Sequence, residues 1–151
     1  MKGLVIERAQ PANILDLYAL MKKAVKEGTM PHPKPTELQF KNHYFQLLDE
    51  LGTQQSLTYL ARKGRAYYGY IRAHLVLRPF ATQTLFFVSG LYVADNRRKM
   101  GIGKKLIEHL RSEAEKVGIS EFEFVCDSAQ TGHWFKKLGA EQIGSVLRVK
   151  P

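Results

Sequence analysis

The chain has a single cysteine, Cys126, in 151 residues, which excludes an intrachain disulfide and a cysteine-built zinc cluster. Its five histidines include no pair at i, i+4 spacing, so no helical metal site is expected and the protein reads as metal-free. No apolar run approaches the ~18 residues of a membrane span. Glu7 and Arg8 interrupt the N-terminal stretch before a signal-peptide core forms, so a cytoplasmic protein without membrane attachment is expected. Carboxylates are scarce, 14 Asp and Glu against 23 Lys and Arg, for a formal net charge of +9. Such a balance suggests an anionic partner: nucleic acid, a membrane surface or a phosphorylated small molecule. Net charge alone does not choose among them. With 12 Gly and 6 Pro the chain is neither collagen-like nor of low complexity. Its length and its 44% apolar content suit one domain with a real core.

What is present is an alternation of periodicities. Leu4, Val5 and Ile6 form a short strand-like run. Ile14, Leu15, Leu17, Tyr18, Met21 and Val25 then recur at helical spacing, with Gly28 as the stop. Residues 30–35, MPHPKP, hold three prolines and separate this helix from a second one carrying Leu38, Tyr44, Phe45, Leu48 and Leu51. From Leu57 the texture becomes aromatic and β-branched, and three strands are expected, the first two joined by a tight turn near Lys63 and Gly64. A strongly amphipathic helix follows, with Ile102, Leu106, Leu110 and Ala114 on one face and Gly118 as its end. EFEFVC reads as a strand, SAQTGHWFKKLG as a shorter helix and AEQIGSVLRV as a last strand. The order is β-α-α-β-β-β-α-β-α-β. It requires antiparallel pairing at the hairpin and some parallel pairing through the later crossovers.

The stretch that carries chemistry runs from Leu91 to Lys105, where an apolar strand passes through a polar turn into a helix. A helix start presents unpaired N–H groups and the positive end of the dipole. Gly101 and Gly103 allow close approach to the backbone. Arg97, Arg98, Lys99, Lys104 and Lys105 place five of the positive charges in nine residues, so a phosphate or pyrophosphate is the natural ligand. Arg98 stands where a Walker loop needs its first glycine and Lys105 where it needs Ser or Thr, while Leu106 replaces the third glycine of a Rossmann fingerprint.

What fits is Arg98-Lys-Met-Gly101-Ile-Gly103, an R-x-x-G-x-G between strand and helix. Together with Leu91 and Val93 before it, and Phe135-Lys-Lys-Leu-Gly139 after it, this segment resembles the GNAT superfamily of acyl-CoA-dependent N-acyltransferases. The resemblance implies an α/β fold of the α+β type over residues 1–151 as a single domain: a mixed, mostly antiparallel central sheet flanked by helices. It implies acetyl-CoA as cosubstrate, held by Leu91, Tyr92, Val93, Arg98, Lys99, Met100, Gly101, Ile102, Gly103, Lys104, Ser128 and Phe135. It also implies direct transfer of the acetyl group to a primary amine within a ternary complex. Members of the family are often dimers.

The proton-transfer groups are less plainly written. The position where the family often has a Tyr acid is Phe135, which leaves Tyr92, Ser128, Thr131 or a water to serve the leaving thiol. For the base, the strand from Gln83 to Ala94 holds no carboxylate. His74 and Asp127 are the preferred candidates, ahead of Glu121, Glu123 and His133. Cys126, at the end of an apolar strand with no His at a diagnostic spacing, is expected to be a buried small hydrophobe. Met30, His32, Tyr67 and Tyr68 are candidates for acceptor recognition. Two other functions compete. A catalytically silent acyl-CoA-binding protein is kept open by Phe135. A basic nucleic-acid-binding module is disfavoured because residues 106–132 carry two basic against six acidic residues.

Overall fold

A computed structural model describes residues 1–27, 36–53, 55–77, 84–126, 129–144 and 149. Strand β1 (Leu4–Arg8) leads through a 3-10 turn at Pro11–Asn13 into helix α1 (Ile14–Lys26), and helix α2 (Glu37–Leu51) follows. Three long strands come next, β2 (Ser56–Lys63), β3 (Ala66–Leu77) and β4 (Thr84–Val93). The chain ends with helix α3 (Ile102–Lys116), the short strand β5 (Phe122–Phe124) and helix α4 (Ala129–Lys137). The sheet order is β1-β2-β3-β4-β5, antiparallel throughout except for the parallel pair β4/β5, which the α3 crossover makes necessary. The expected hairpin turn is present, with Gly64 at φ +60°.

The helices cover both faces. Ile14, Leu17, Leu20, Met21 and Ala24 of α1, with Leu47 and Leu51 of α2, pack on Leu60, Tyr70 and Tyr92. On the opposite face Ile102, Leu106, Leu110 and Ala114 of α3 pack on Tyr59, Ala61, Ile71, Ala73, Phe86 and Val88. The α3 stripe is the one its periodicity dictates. On α2 the expected Tyr44, Leu48 and Leu51 also pack on the core. Leu38 and Phe45 are exposed, because the helix is turned to bury Leu47 and Leu51 and to present His43, Gln46 and Glu50 along a cleft. A capping box between Thr36 and Gln39 starts this helix, Thr36 Oγ1 accepting from Gln39 N at 3.2 Å.

One irregularity organises the rest. Ala73 pairs with Val88 and Arg72 with Gly90, so Ser89 is an extra residue in β4, a β-bulge. The bulge changes the phase of the strand: Phe86 and Val88 face α3 before it, whereas Leu91 and Val93 do so after it and Tyr92 turns to α1.

Two expectations need correction. Ala140 to Gly144 form no strand, and residues 145–148 lie outside the described residues, so the last β of the expected order is not seen. Cys126 is exposed rather than buried, because β5 ends at Phe124 and leaves it beyond the strand.

Candidate active site

β4 has two different edges. Toward β3 it is paired from Thr84 to Val93 except at the bulged Ser89. Toward β5 only residues 86–88 are paired, because β5 is three residues long, so residues 89–93 have no strand partner on that side among the described residues. Backbone donors and acceptors there are open to an extended ligand, as at any sheet edge. The unpaired stretch begins at the bulge, beside Gly90.

It leads into the glycine turn. Lys99 and Gly101 both have positive φ, +62° and +78°, and Gly101 is the N-cap of α3. The first helical bond is Lys105 N to the Gly101 carbonyl, 3.0 Å, which leaves the N–H groups of Ile102, Gly103 and Lys104 without intrahelical partners. A Cβ on Gly101 would meet nothing within 4 Å, so the space above the turn is open. A Cβ on Gly103 would stand 3.4 Å from the Trp134 ring and 3.8 Å from Val93 Cγ2. Trp134 of α4 therefore walls the first turn of α3 beside the free edge of β4. Open backbone, a glycine-lined turn and a helix start together fit an adenine-nucleotide thioester of the acetyl-CoA type: an extended amide arm on β4 and a pyrophosphate on the turn.

The named side chains are distributed unevenly around this opening. Leu91, Val93, Met100 and Lys104 lie on the strand and turn, with Met100 and Lys104 exposed and Ile102 buried as the first anchor of α3. Arg98 is occupied at all three nitrogens. Its Nε donates to the Val93 carbonyl at 2.9 Å, Nη1 to Asp95 at 2.9 Å and Nη2 to Glu27 at 2.6 Å, so it braces the loop against the end of α1. Glu27 also accepts from the Tyr92 hydroxyl at 3.0 Å. Burial, followed by that bond and the Glu27 charge, pushes the Tyr92 phenol well above its usual range, so it stays protonated and tethered. Phe135 is buried, its ring stacked on Phe124 at 3.8 Å. It lines an apolar cavity of about 160 Å3 with Val88, Ile107 and Leu110. Asp127, Ser128, Met30 and His32 lie outside the described residues.

On the opposite face of the sheet, next to the bulge, is a second cavity of about 230 Å3, lined by Met21, His43, Gln46, Glu50, Tyr70, Arg72, His74, Ser89 and Gly90. Here His74 is placed with groups that sequence reasoning missed. Its Nε2 is 2.8 Å from Ser89 Oγ. Arg72 forms an ion pair with Glu50 and lies 3.4 Å from His43 Nε2 through Nη1. Burial first, and the Arg72 charge second, hold both His74 and His43 below the ordinary imidazole value. Burial pushes the Tyr70 phenol up to about 12, and its ring packs against Gly90, where a Cβ would stand 3.1 Å away. Two patterns in the sequence carry this cluster: Tyr70, Arg72 and His74 at period two on one strand face, and His43, Gln46 and Glu50 on one helix face. Neither sits beside the glycine turn in the chain, and only the sheet joins them.

The Arg72 side chain is 7% exposed and that of Glu50 26%. Removing the carboxylate strands a buried cation, whereas replacing the arginine with an apolar chain leaves a carboxylate that water can reach. Glu50→Ala is therefore expected to cost about 2–3 kcal/mol in urea unfolding, and Arg72→Met less.

Among the described residues no group of His, Cys, Asp and Glu could hold a metal ion, and no helix is long and apolar enough to cross a membrane. Residues 17–140 match the model of the GNAT acetyltransferase family. No curated protein sequence matches the chain. Solved structures do. A predicted acetyltransferase with acetyl-CoA from Clostridium acetobutylicum has TM-score 0.83 at 16% identity, over 97% of this chain and 96% of that one. An aminoglycoside acetyltransferase from an uncultured soil metagenomic sample has TM-score 0.78 at 18% identity, over 99% and 97%. The aminoglycoside 6'-N-acetyltransferase of Acinetobacter baumannii has TM-score 0.76 at 17% identity, over 99% and 98%. At such identities the likeness is one of fold; the family model supplies the membership. With the glycine turn, the open β4 edge and the mixed sheet all in place, the chain belongs to the GNAT acetyltransferase family, acyltransferases that use acetyl-CoA as cosubstrate.

Proposed function

We propose that this protein moves an acetyl group from acetyl-CoA directly to a primary amine of a small molecule, with the amine entering the cavity beside the β4 bulge. One observation carries the reading: Ser89 and Gly90 belong both to the unpaired stretch of β4 and to the lining of that cavity. A thioester laid along residues 89–93 would therefore end where the cavity begins. The aminoglycoside acetyltransferases among the structural neighbours support a small-molecule amine as acceptor.

Bound acetyl-CoA supplies an activated acetyl thioester. The N–H groups at the start of α3 would take its pyrophosphate, with Lys99 and Lys104 adding charge. The β4 backbone from Leu91 to Val93 would fix the arm and offer an N–H to the developing oxyanion. The acceptor nitrogen forms a bond to the carbonyl carbon, the carbon–sulfur bond breaks, and the ammonium proton passes to His74, directly or through Ser89 Oγ. The thiol of CoA has a pKa of roughly 8.5, so the thiolate departs without a strong acid. Phe135 in place of a tyrosine is compatible with that route, and no acyl-enzyme is required.

Free-thiol release with acetyl-CoA and a panel of primary amines tests this, run as a pH profile. A base whose pKa is depressed stays neutral, and so competent, below the usual imidazole range. The acidic limb of kcat/KM should therefore lie below pH ~6.5, and His74→Gln should remove it along with most of the rate. Acetyl-CoA that binds without thiol release on any amine overturns the proposal.

A further inference from the structure

The charges around the acceptor cavity bear on which amines it takes. Glu50 is the one carboxylate among the residues lining it, and Glu50 is committed to Arg72. That commitment is strong because the guanidinium is nearly buried: an ammonium that drew Glu50 away would leave a buried cation uncompensated. Arg72 in turn has no spare charge for an anion, since Glu50 offsets it. His43 and His74 stand on either side and are held below the ordinary imidazole value by burial and by Arg72, so both are neutral near pH 7. Met21, Gln46, Tyr70, Ser89 and Gly90 complete the lining and carry no charge at that pH. The cavity is therefore neutral overall, built from one internally paired ion pair and uncharged groups.

Beyond the lining, the chain as a whole carries more positive than negative charge. Of the 14 Asp and Glu, all but Asp127 are among the described residues, and Glu50 is the one of these that lines the cavity. The net charge is +9, which disfavours the approach of a polycation. A polycationic amine must desolvate several ammonium groups when it binds, and each needs a carboxylate to replace its water.

We infer that the acceptor is an amine with one basic centre on an otherwise uncharged body, and that the neutral Arg72–Glu50 cavity discriminates against polycationic amines. This rests on the reading of the cavity as the acceptor site. It separates this protein's substrate from those named for its aminoglycoside-modifying neighbours, although the fold is shared.

The test compares kcat/KM, by thiol release at fixed saturating acetyl-CoA, for glucosamine and benzylamine as neutral-bodied monoamines, kanamycin and spermine as polycations, and glycine as an amine bearing an anion. The neutral-bodied monoamines should exceed both other classes by tenfold or more. Gln46→Glu, on the exposed rim of the cavity, replaces the amide that donates to Glu50 Oε1 at 3.2 Å and sets a second carboxylate beside Glu50, a charge that Arg72 does not offset. It should raise the ratio of kcat/KM for the polycations to that for the monoamines by about tenfold. A wild-type preference for kanamycin, spermine or glycine overturns the inference while preserving the transferase reading. So does a Gln46→Glu protein whose ratios are unchanged. Binding of acetyl-CoA with no turnover of any amine overturns the transferase reading and the inference with it.

Discussion

Replacing Gly101 with valine is expected to abolish acetyl-CoA binding while the protein stays folded. The residue sits at φ +78° as the N-cap of α3, with open space around its missing Cβ. The fold therefore bears only the strain of a side chain in the left-handed region, roughly 1–2 kcal/mol. The ligand bears more. A branched side chain over the turn blocks the N–H groups of Ile102, Gly103 and Lys104 from a pyrophosphate. Losing two charge-assisted bonds at about 1.5 kcal/mol each amounts to about 3 kcal/mol, more than 100-fold in affinity. The thermal stabilisation given by acetyl-CoA, a linkage effect, should vanish from the variant. Unaltered stabilisation would mean that the pyrophosphate binds elsewhere.

Gly69→Ala should destabilise the fold strongly, for a reason that has nothing to do with φ. Gly69 pairs with Val93 across β3 and β4. A Cβ there would stand 2.4 Å from the Tyr92 carbonyl oxygen and 3.2 Å from Val93 Cα. Both are backbone atoms, so no rotamer relieves the clash and the strands must part. The expected cost is about 2–3 kcal/mol, a fall in melting temperature of about 4–12 °C for a domain of this size. Affinity for acetyl-CoA should drop as well, because the displaced segment is the part of β4 that would carry the arm. Gly118→Ala is the control: φ is +76° but nothing lies within 4 Å, so its loss should stay near 1 kcal/mol. Equal losses for the two variants would show that the β3/β4 contact is looser than the distances imply.

Local chemistry carries the elements and the glycine turn. Helix α3 follows from its apolar stripe, the hairpin from Gly64, and the proposed anion site from two glycines and five cations at one strand-to-helix turn. Each signal lies within about one turn or one strand of sequence, so no neighbour is needed to read it. The resemblance to the GNAT superfamily rests on the same short segment and is confirmed by the match over residues 17–140.

The cavity beside the bulge could not be read that way, because its groups converge only when strands and helices are assembled. His43 and Glu50 come from α2, Arg72 and His74 from β3, and Ser89 from β4. Helix periodicity placed Tyr44, Leu48 and Leu51 of α2 on the core, but Leu38 and Phe45, read with them, are exposed, because what the sheet offers beneath sets how far the buried stripe extends. Arg98, which the sequence offers as a pyrophosphate ligand, is also paired with Glu27, a residue 71 positions away that no local pattern links to it. The sequence by itself determined the order of elements from β1 to α4, the glycine turn and the class of cosubstrate, all of which depend on contiguous residues. Only the tertiary structure decided which edge of β4 is open, which charges cancel and which histidine meets the bulge, because those depend on the pairing register and on contacts between distant segments.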